Sequence, residues 1–317
     1  MAPDMDGDRL RRRLKLRDLD TLMTVVNAGG MRKAAAQLHV SQPAISKAIA
    51  DLESALGVRL VDRGRHGVEP TVFGQALLKR GAAIFDELLR GAAEIEFLAD
   101  PEAGELSIGC VETITAGLAA AIVEEMSQRY PRLIFSVASG DAPVLQAHFL
   151  RERLCELVIA RPFAAAPDPD MDGEPLFHEQ LRIVVSNRSE WVRKRRQPSL
   201  AELVDAPWIL SPNEVGPHSP IVEAFRAIGA DPPTASVLTG SLNLRRTLLR
   251  TGRFVTVMPH SLLRFGPDQE WIKVLPIDLP TWAVPTMLIT LRNRTLSPVA
   301  ERFAEHARVL ARSLAAG

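Results

Sequence analysis

Apolar residues in the first part of the chain keep helical spacing. Leu19, Leu22, Met23 and Val26 fall at i, i+3, i+4 and i+7, which is one face of a helix. Ala28, Gly29 and Gly30 end it, because glycine accepts the left-handed conformation of a helix end. The run 31–38, with Ala34, Ala35 and Ala36, predicts a second, short helix. His39 and Val40 make a turn. Ser41 is a strong N-cap, and Pro43 lies in the first turn of a third helix, where its missing N–H costs nothing. That helix stops at Gly57. Ile45, Ile49, Leu52 and Leu56 line its inner face, while Gln42, Pro43, Ser46, Lys47 and Ala50 point the other way. Two short strands, 58–62 and 67–70, flank Arg63, Gly64, Arg65 and His66 as a hairpin. From 70 to 98 one helical stripe follows: Val72, Phe73, Ala76, Leu77, Ile84, Leu88, Ile95 and Leu98. Asp100 and Pro101 stop it. So small a head offers this stripe no partner, so it packs on the rest of the chain or on a second chain.

From Glu105 the period changes. Strand-like runs at 106–111, 133–138 and 154–160 alternate with helical ones at 117–130 and 142–151. A Pro- and Asp-rich stretch, 162–172, crosses to a second set. Its strands are 180–186, 208–211, 235–239 and 254–258, and its helices 199–204, 217–228 and 241–251. A strand at 285–291 and a final helix at 298–314 return toward the first set. Strands alternating with helices predict parallel α/β units, here two lobes joined by crossover segments.

Charge sharpens the division. Residues 9–65 carry twelve Lys/Arg against five Asp/Glu, whereas from residue 99 onward there are 23 bases and 25 acids. A basic head on a neutral body is the footprint of a phosphate-binding module fused to something else. The 46% apolar and 24% charged composition excludes a disordered or fibrous chain. Cys110 and Cys155 form no CxxC pair, which argues against a zinc ribbon or disulfide scaffold and fits a reducing cytoplasm. The longest apolar run, 116–123, is eight residues, where a membrane span needs about 20. The charged start of the chain lacks the apolar core of a secretory signal and reads as a frayed tail.

The outer face of the third helix opens with an amide, a hydroxyl and a cation, and carries no acid until Asp51. Helix–turn–helix proteins lead into the major groove with the N-terminal residues of their second helix. Gln pairs bidentately with adenine, Ser bonds most base edges, and Lys reaches guanine or phosphate. The hairpin then reads as a wing whose arginines reach a phosphate or the minor groove. Cap, turn, polar face and basic tip agree, which favours DNA binding over a plain three-helix bundle. The stretch from Ala34 through Leu38, Ser41, Gln42, Pro43, Ala44, Ile45 and Ser46 to Lys47 resembles the DNA-binding signature of LysR-type transcriptional regulators. So does its continuation Leu52, Glu53, Leu56, Gly57, Val58, Arg59, Leu60, Arg63, Thr71 and Gly74. Two positions depart from the pattern: Gly30, where a serine usually caps the second helix, and Lys47, where arginine is common. Glycine caps nearly as well, and lysine keeps the charge but loses the bidentate fork.

The expected fold is therefore α/β with an all-α N-terminal head. A disordered tail (1–15) precedes a winged helix-turn-helix domain (16–70) and a long linker helix (71–100). Two α/β lobes (101–317) follow, which the resemblance implies form a periplasmic-binding-protein-like effector domain, with lobe I about 101–162 and 285–317 and lobe II about 163–284. The DNA-binding candidates are Arg32, Lys33, Ser41, Gln42, Pro43, Ser46, Lys47, Arg63 and Arg65. The resemblance implies that Leu77, Ile84 and Leu88 pair two chains, and that dimers assemble into a tetramer on double-stranded DNA.

In open α/β sheets ligands sit beyond the carboxyl ends of strands, at helix N-termini. Such positions here are Glu112, Thr113, Thr115, Ser139, Gly140, Asp141, Arg161, Asn213, Ser241 and Asn243. Thr113, Asp141 and Ser241 would cap helices in any case. Arg161 suits a carboxylate, while Glu112 and Asp141 oppose a purely anionic ligand. A small polar metabolite, such as a hydroxylated acid or sugar derivative, reconciles them. No cofactor, metal or membrane partner is expected.

Two rivals remain. An α/β enzyme or metabolite-binding protein could carry an incidental basic helical head, but no GxSxG, GxxxxGK[ST], GxGxxG or HExxH motif occurs. His218 and His260, in expected loops, could meet in a cleft. A cysteine redox sensor would bring Cys110 and Cys155 together on neighbouring strands. The run Arg193, Lys194, Arg195 and Arg196 could be a second DNA contact, but such runs are more often solvated loops.

Overall fold

The structure is a computed structural model that describes residues 14–64, 67–161, 168–193, 196–280 and 285–315. Residues 1–13 of the expected tail, Arg65, His66, positions 162–167 of the first crossover, Lys194 and Arg195 lie outside the described residues. The chain divides into two compact units, Met1–Gly91 and Ala92–Gly317.

The first unit packs α1 (Leu16–Asn27), α2 (Met31–Gln37) and α3 (Gln42–Leu56) around Leu22, Val25, Met31, Ile45, Ile49 and Leu52. The Ser41 Oγ accepts the Ala44 N–H at 3.4 Å, and Gly57 closes α3 at φ 69°. The hairpin is β1 (Val61–Gly64) with β2 (Gly67–Pro70), so β1 begins later than the expected strand at 58. The cause is Glu53. Its Oε1 accepts the Leu60 N–H at 2.7 Å and the Val61 N–H at 3.3 Å, which holds the approach to the hairpin against α3. Arg63 consequently lies within the strand, opposite Val68, and not at the tip.

The next helix, α4 (Val72–Ala99), starts at a fixed point. Thr71 Oγ1 donates to the Arg59 carbonyl at 2.7 Å and accepts the Gly74 N–H at 3.1 Å. A β-carbon on Gly74 would lie 2.0 Å from the Leu60 carbonyl oxygen, so only glycine fits. Leu77 and Leu78 then pack on the head core. Leu77 therefore has a partner inside the head after all, unlike Ile84 and Leu88, which remain exposed.

The second unit holds two five-stranded sheets. The first has the order β4-β3-β5-β12-β6 and contains β3 (Ala103–Cys110), β4 (Arg132–Ser139), β5 (Leu157–Ala160), β6 (Met171–Phe177) and β12 (Thr286–Leu291). The second has the order β11-β7-β10-β8-β9. It contains β7 (Leu181–Ser186), β8 (Trp208–Leu210), β9 (Ala235–Leu238), β10 (Val255–Pro259) and β11 (Ile272–Val274). Only β3-β4, β3-β5, β8-β9 and β8-β10 are parallel; β12 runs antiparallel to β5 and β6, and β7 antiparallel to β10 and β11. The expected parallel units are thus mixed sheets, because strands that return across the crossovers enter from the opposite end. Each sheet buries apolar side chains in two clusters. The terminal helix α12 (Pro298–Ala315) packs Phe303, Ala304 and Ala307 into the first lobe.

Candidate DNA interface and effector cleft

Helix geometry decides what the head displays. With Ile45, Ile49, Leu52 and Leu56 turned inward, Gln42, Pro43 and Lys47 are forced outward and are exposed. Ser46 is half-buried, and its Oγ lies 3.2 Å from the Met31 Sδ, which orients the hydroxyl at the edge of the face. Arg32 and Lys33 open α2 and are exposed, as is Arg63 on β1. Among the described residues none of Arg32, Lys33, Lys47 and Arg63 has an acidic partner within ion-pair distance. Their charge is therefore available to something outside the chain.

In the second unit the carboxyl ends of β3, β4 and β5 point at the second lobe. The chain leaves β3 into α5 (Glu112–Ile114), a π-helical turn (Thr115–Ala119) and α6 (Ala120–Arg129). Thr115 Oγ1 lies 3.4 Å from Ser139 Oγ, joining the ends of β3 and β4. From the second lobe, α10 (Leu242–Leu249) aims its N-terminus at the same place. Ser241 caps it by accepting the Leu244 N–H at 3.3 Å, and Glu112 Oε2 accepts the Leu242 N–H at 3.0 Å.

Beneath this contact lies a buried charge network. Glu214 and Arg245 pair through two hydrogen bonds of 2.9 and 3.0 Å, and Arg245 also donates to the Val257 carbonyl at 2.8 Å. Glu179, in the second crossover, accepts the Ser261 N–H at 3.1 Å and the Ser261 hydroxyl. Burial pushes the Glu179 carboxyl up, against the opposing pull of Ser261 and Arg161. Burial likewise lowers the Arg161 guanidinium, while Glu179 and Glu214 hold it up. Arg161 thus faces acids from two other segments and is not a bare carboxylate receptor.

Glu112 and Ser241 therefore meet at the start of α10, Thr115 meets Ser139 at the ends of β3 and β4, and Arg161 lies with Glu179 and Glu214. Asn213, beside Glu214, and Asn243, in the first turn of α10, are exposed. Two expected caps do not form. Val111, not Thr113, holds the N-cap position of α5, and Asp141 precedes α7 (Ala142–Val144) without a side-chain bond to it. Glu179, Glu214, Arg245 and Ser261 were not foreseen. Only Arg245 left a signal: it shares the buried stripe of α10 with Leu242 and Leu249, where a charge needs a buried partner.

Cys110 and Cys155 are buried in different apolar clusters of the first lobe, but close enough that Cys155 adds to the rise of the Cys110 thiol. Burial pushes both thiols up to about 12, far from a reactive thiolate. His218 is exposed and His260 half-buried, and no hydrogen bond joins their rings among the described residues. Burial, then Arg182 and Arg264, lowers His260. Among the described residues no group of His, Cys, Asp and Glu could hold a metal, and no helix is long and apolar enough to cross a membrane. Arg196 pairs with Glu202 at 3.0 Å. A depression of about 630 Å³ is lined by Glu190, Asp205, Pro207, Ser236, Gly252 and Arg253, none of them an expected effector residue.

Known proteins share this arrangement. The family model for the LysR substrate binding domain matches residues 99–311, and that for the bacterial regulatory helix-turn-helix protein, lysR family, matches residues 16–75. The HTH-type transcriptional regulator GbpR of Azospirillum brasilense is 29% identical over 289 residues, covering 91% of this chain and 84% of the relative. TdcA of Escherichia coli is 26% identical over 257 residues, 80% of each chain. Full-length CbnR, a LysR family transcriptional regulator solved in complex with its target DNA, superposes with a TM-score of 0.57 at 25% identity, over 93% of this chain and 99% of that one. A full-length OxyR variant from Pseudomonas aeruginosa shares the fold with a TM-score of 0.60 at 22% identity, over 93% and 95% of the two chains. With both family models matched along one chain, the protein belongs to the LysR family of bacterial transcriptional regulators, pairing a helix–turn–helix DNA-binding head with an effector-binding domain.

Proposed function

We propose that this regulator reads its operator through the N-terminal end of α3. Gln42 and Ser46 contact base edges there. Arg32, Lys33, Ser41, Pro43 and Lys47 position the helix on the backbone, and Arg63 and Arg65 supply the wing. The head spans 16–70, the linker helix 71–100 and the regulatory domain 101–317. Ile84 and Leu88 are exposed apolar residues on α4, and they pair two chains so that two heads span a pseudo-palindrome. Two such dimers form the tetramer, and the protein works in the cytoplasm without catalysing a reaction.

A small, hydroxylated metabolite binds between the lobes, among Glu112, Thr113, Thr115, Ser139, Asp141, Arg161, Asn213, Ser241 and Asn243, and shifts the arrangement of the heads. The observation that carries this reading is the Glu112–Leu242 bond, which joins helix starts from both lobes at the strand ends. The test is a reporter driven by the chain's own upstream DNA, exposed to a panel of sugars and sugar acids. Thr113→Val and Ser139→Ala should keep DNA binding in gel shift and lose the response. Normal induction in both variants would mean that the ligand binds elsewhere.

A further inference from the structure

Glu112 places an acid where a cleft for anions would want none. Leu242 is the first residue of an eight-residue helix. Its N–H is thus one of the donors a helix leaves unsatisfied, at the positive end of the dipole. Glu112 Oε2 fills that donor at 3.0 Å from a position 130 residues away in sequence, and Ser241 fills the Leu244 N–H. The chain's own oxygens therefore occupy the N-terminus of α10. The other oxygen, Oε1, accepts no hydrogen bond from the described residues, and Glu112 is only half-buried.

The segment that carries Glu112 is itself held against the second lobe. A β-carbon on Gly117 would lie 3.1 Å from the Leu262 Cα, so backbone meets backbone at α11 (His260–Phe265). Ala116 packs into the second lobe's apolar cluster. These contacts fall within the π-helical turn Thr115–Ala119, a distortion that often marks functional sites. The nearby cations do not offset the acid. Arg245 is bound by Glu214, and Arg161 faces both Glu179 and Glu214.

We propose that Glu112 is a specificity-determining residue. It supplies from within the chain the carboxylate that α10 would otherwise take from a ligand. The cleft then selects a ligand that offers hydroxyl or ammonium donors to Oε1 and carries no carboxylate at this position. This rests on the cleft being the effector site, and it narrows the hydroxylated class to members that present a donor, not a carboxylate, to α10.

The experiment is chemical rescue in the full-length chain. Glu112→Ala should lower the melting temperature by about 2–4 °C. Propionate should restore it saturably, propionamide should not, and wild type should respond to neither. Propionate stabilising wild type as much as the variant would overturn the proposal, and so would a destabilised variant that propionate leaves unchanged. Glu112→Gln preserves shape and guards against misfolding. By calorimetry it should bind gluconate roughly tenfold tighter than wild type does, the scale of one charge at a helix terminus. Equal gluconate binding, or none, in both chains overturns it. Failure of the cleft reading itself shows separately, as an unaltered response in Thr113→Val, because the propionate rescue needs no effector.

Discussion

The exposed side of α3, proposed to face DNA, and the cleft between the lobes are both polar, but they keep their polar groups in opposite conditions. Gln42, Lys47 and Arg63 stand in water with no partner of their own among the described residues. Glu112, Glu179, Glu214 and Arg245, from four separate segments, are bound to one another or to backbone, and Arg161, from a fifth, faces Glu179 and Glu214. A surface that reads a polyanion keeps its donors unspent, because each internal ion pair would have to break on binding. A cleft that switches keeps its groups satisfied, because an orphaned buried charge costs several kcal/mol. On the proposed function, ligand exchanges one satisfied arrangement for another.

This contrast sets the order of expected effects. Arg245→Ala strands Glu214 in the interior and should cost about 3–5 kcal/mol in urea unfolding of the regulatory unit. Lys47→Ala on the head should stay within about 0.5 kcal/mol. Comparable costs at the two sites would erase the distinction.

On the DNA side, Leu88→Glu should leave a folded but monomeric protein in sedimentation. Its operator affinity should drop by about a hundredfold or more as linked heads lose effective concentration. An unchanged oligomer would remove α4 from the interface. Gln42→Ala should lower preference for the operator over scrambled DNA by about 1–3 kcal/mol. Arg63→Ala should instead weaken both and reduce the salt slope by about 1. If Gln42→Ala kept full preference, α3 would be a backbone clamp only.

The smallest effect is a pH dependence. Burial holds the Glu179 proton to higher pH in the folded chain than in the unfolded one. Its contribution is fully present below the ordinary carboxylate range and is lost as pH rises through the raised value. Glu179→Gln should therefore gain on wild type as pH rises, by at most about 1.4 kcal/mol per pH unit. Parallel melting curves against pH would mean that Arg161 and Ser261 cancel the effect of burial.

The two sites were also unequally legible. All of the head's surface chemistry lies in one contiguous stretch, where helical period, cap and turn fix which side chains face out. Even Glu53, Thr71 and Gly74, quoted only as part of a pattern, prove to be the joints that hold the hairpin and α4. The cleft is assembled from positions far apart. Nothing local says that Glu179 meets Ser261, 82 residues on. Strand direction was hidden too, since a buried run such as 181–186 reads the same either way. The edge strand β6 looked like loop because Gly173 and Pro175 interrupt it, and an edge position tolerates both.

The two cysteines have one more use. Cys110 lies in one apolar cluster of the first lobe and Cys155 in another. An alkylating reagent reaches neither thiol until that lobe opens. In a native buffer the labelling rate is then a clock for local unfolding, and two modified sites resolved by mass spectrometry time the two clusters separately. An effector that locks the lobes together should slow both clocks, while operator DNA, if it touches only the head, should slow neither. The wild-type protein thus carries its own reporter of which partner it has bound.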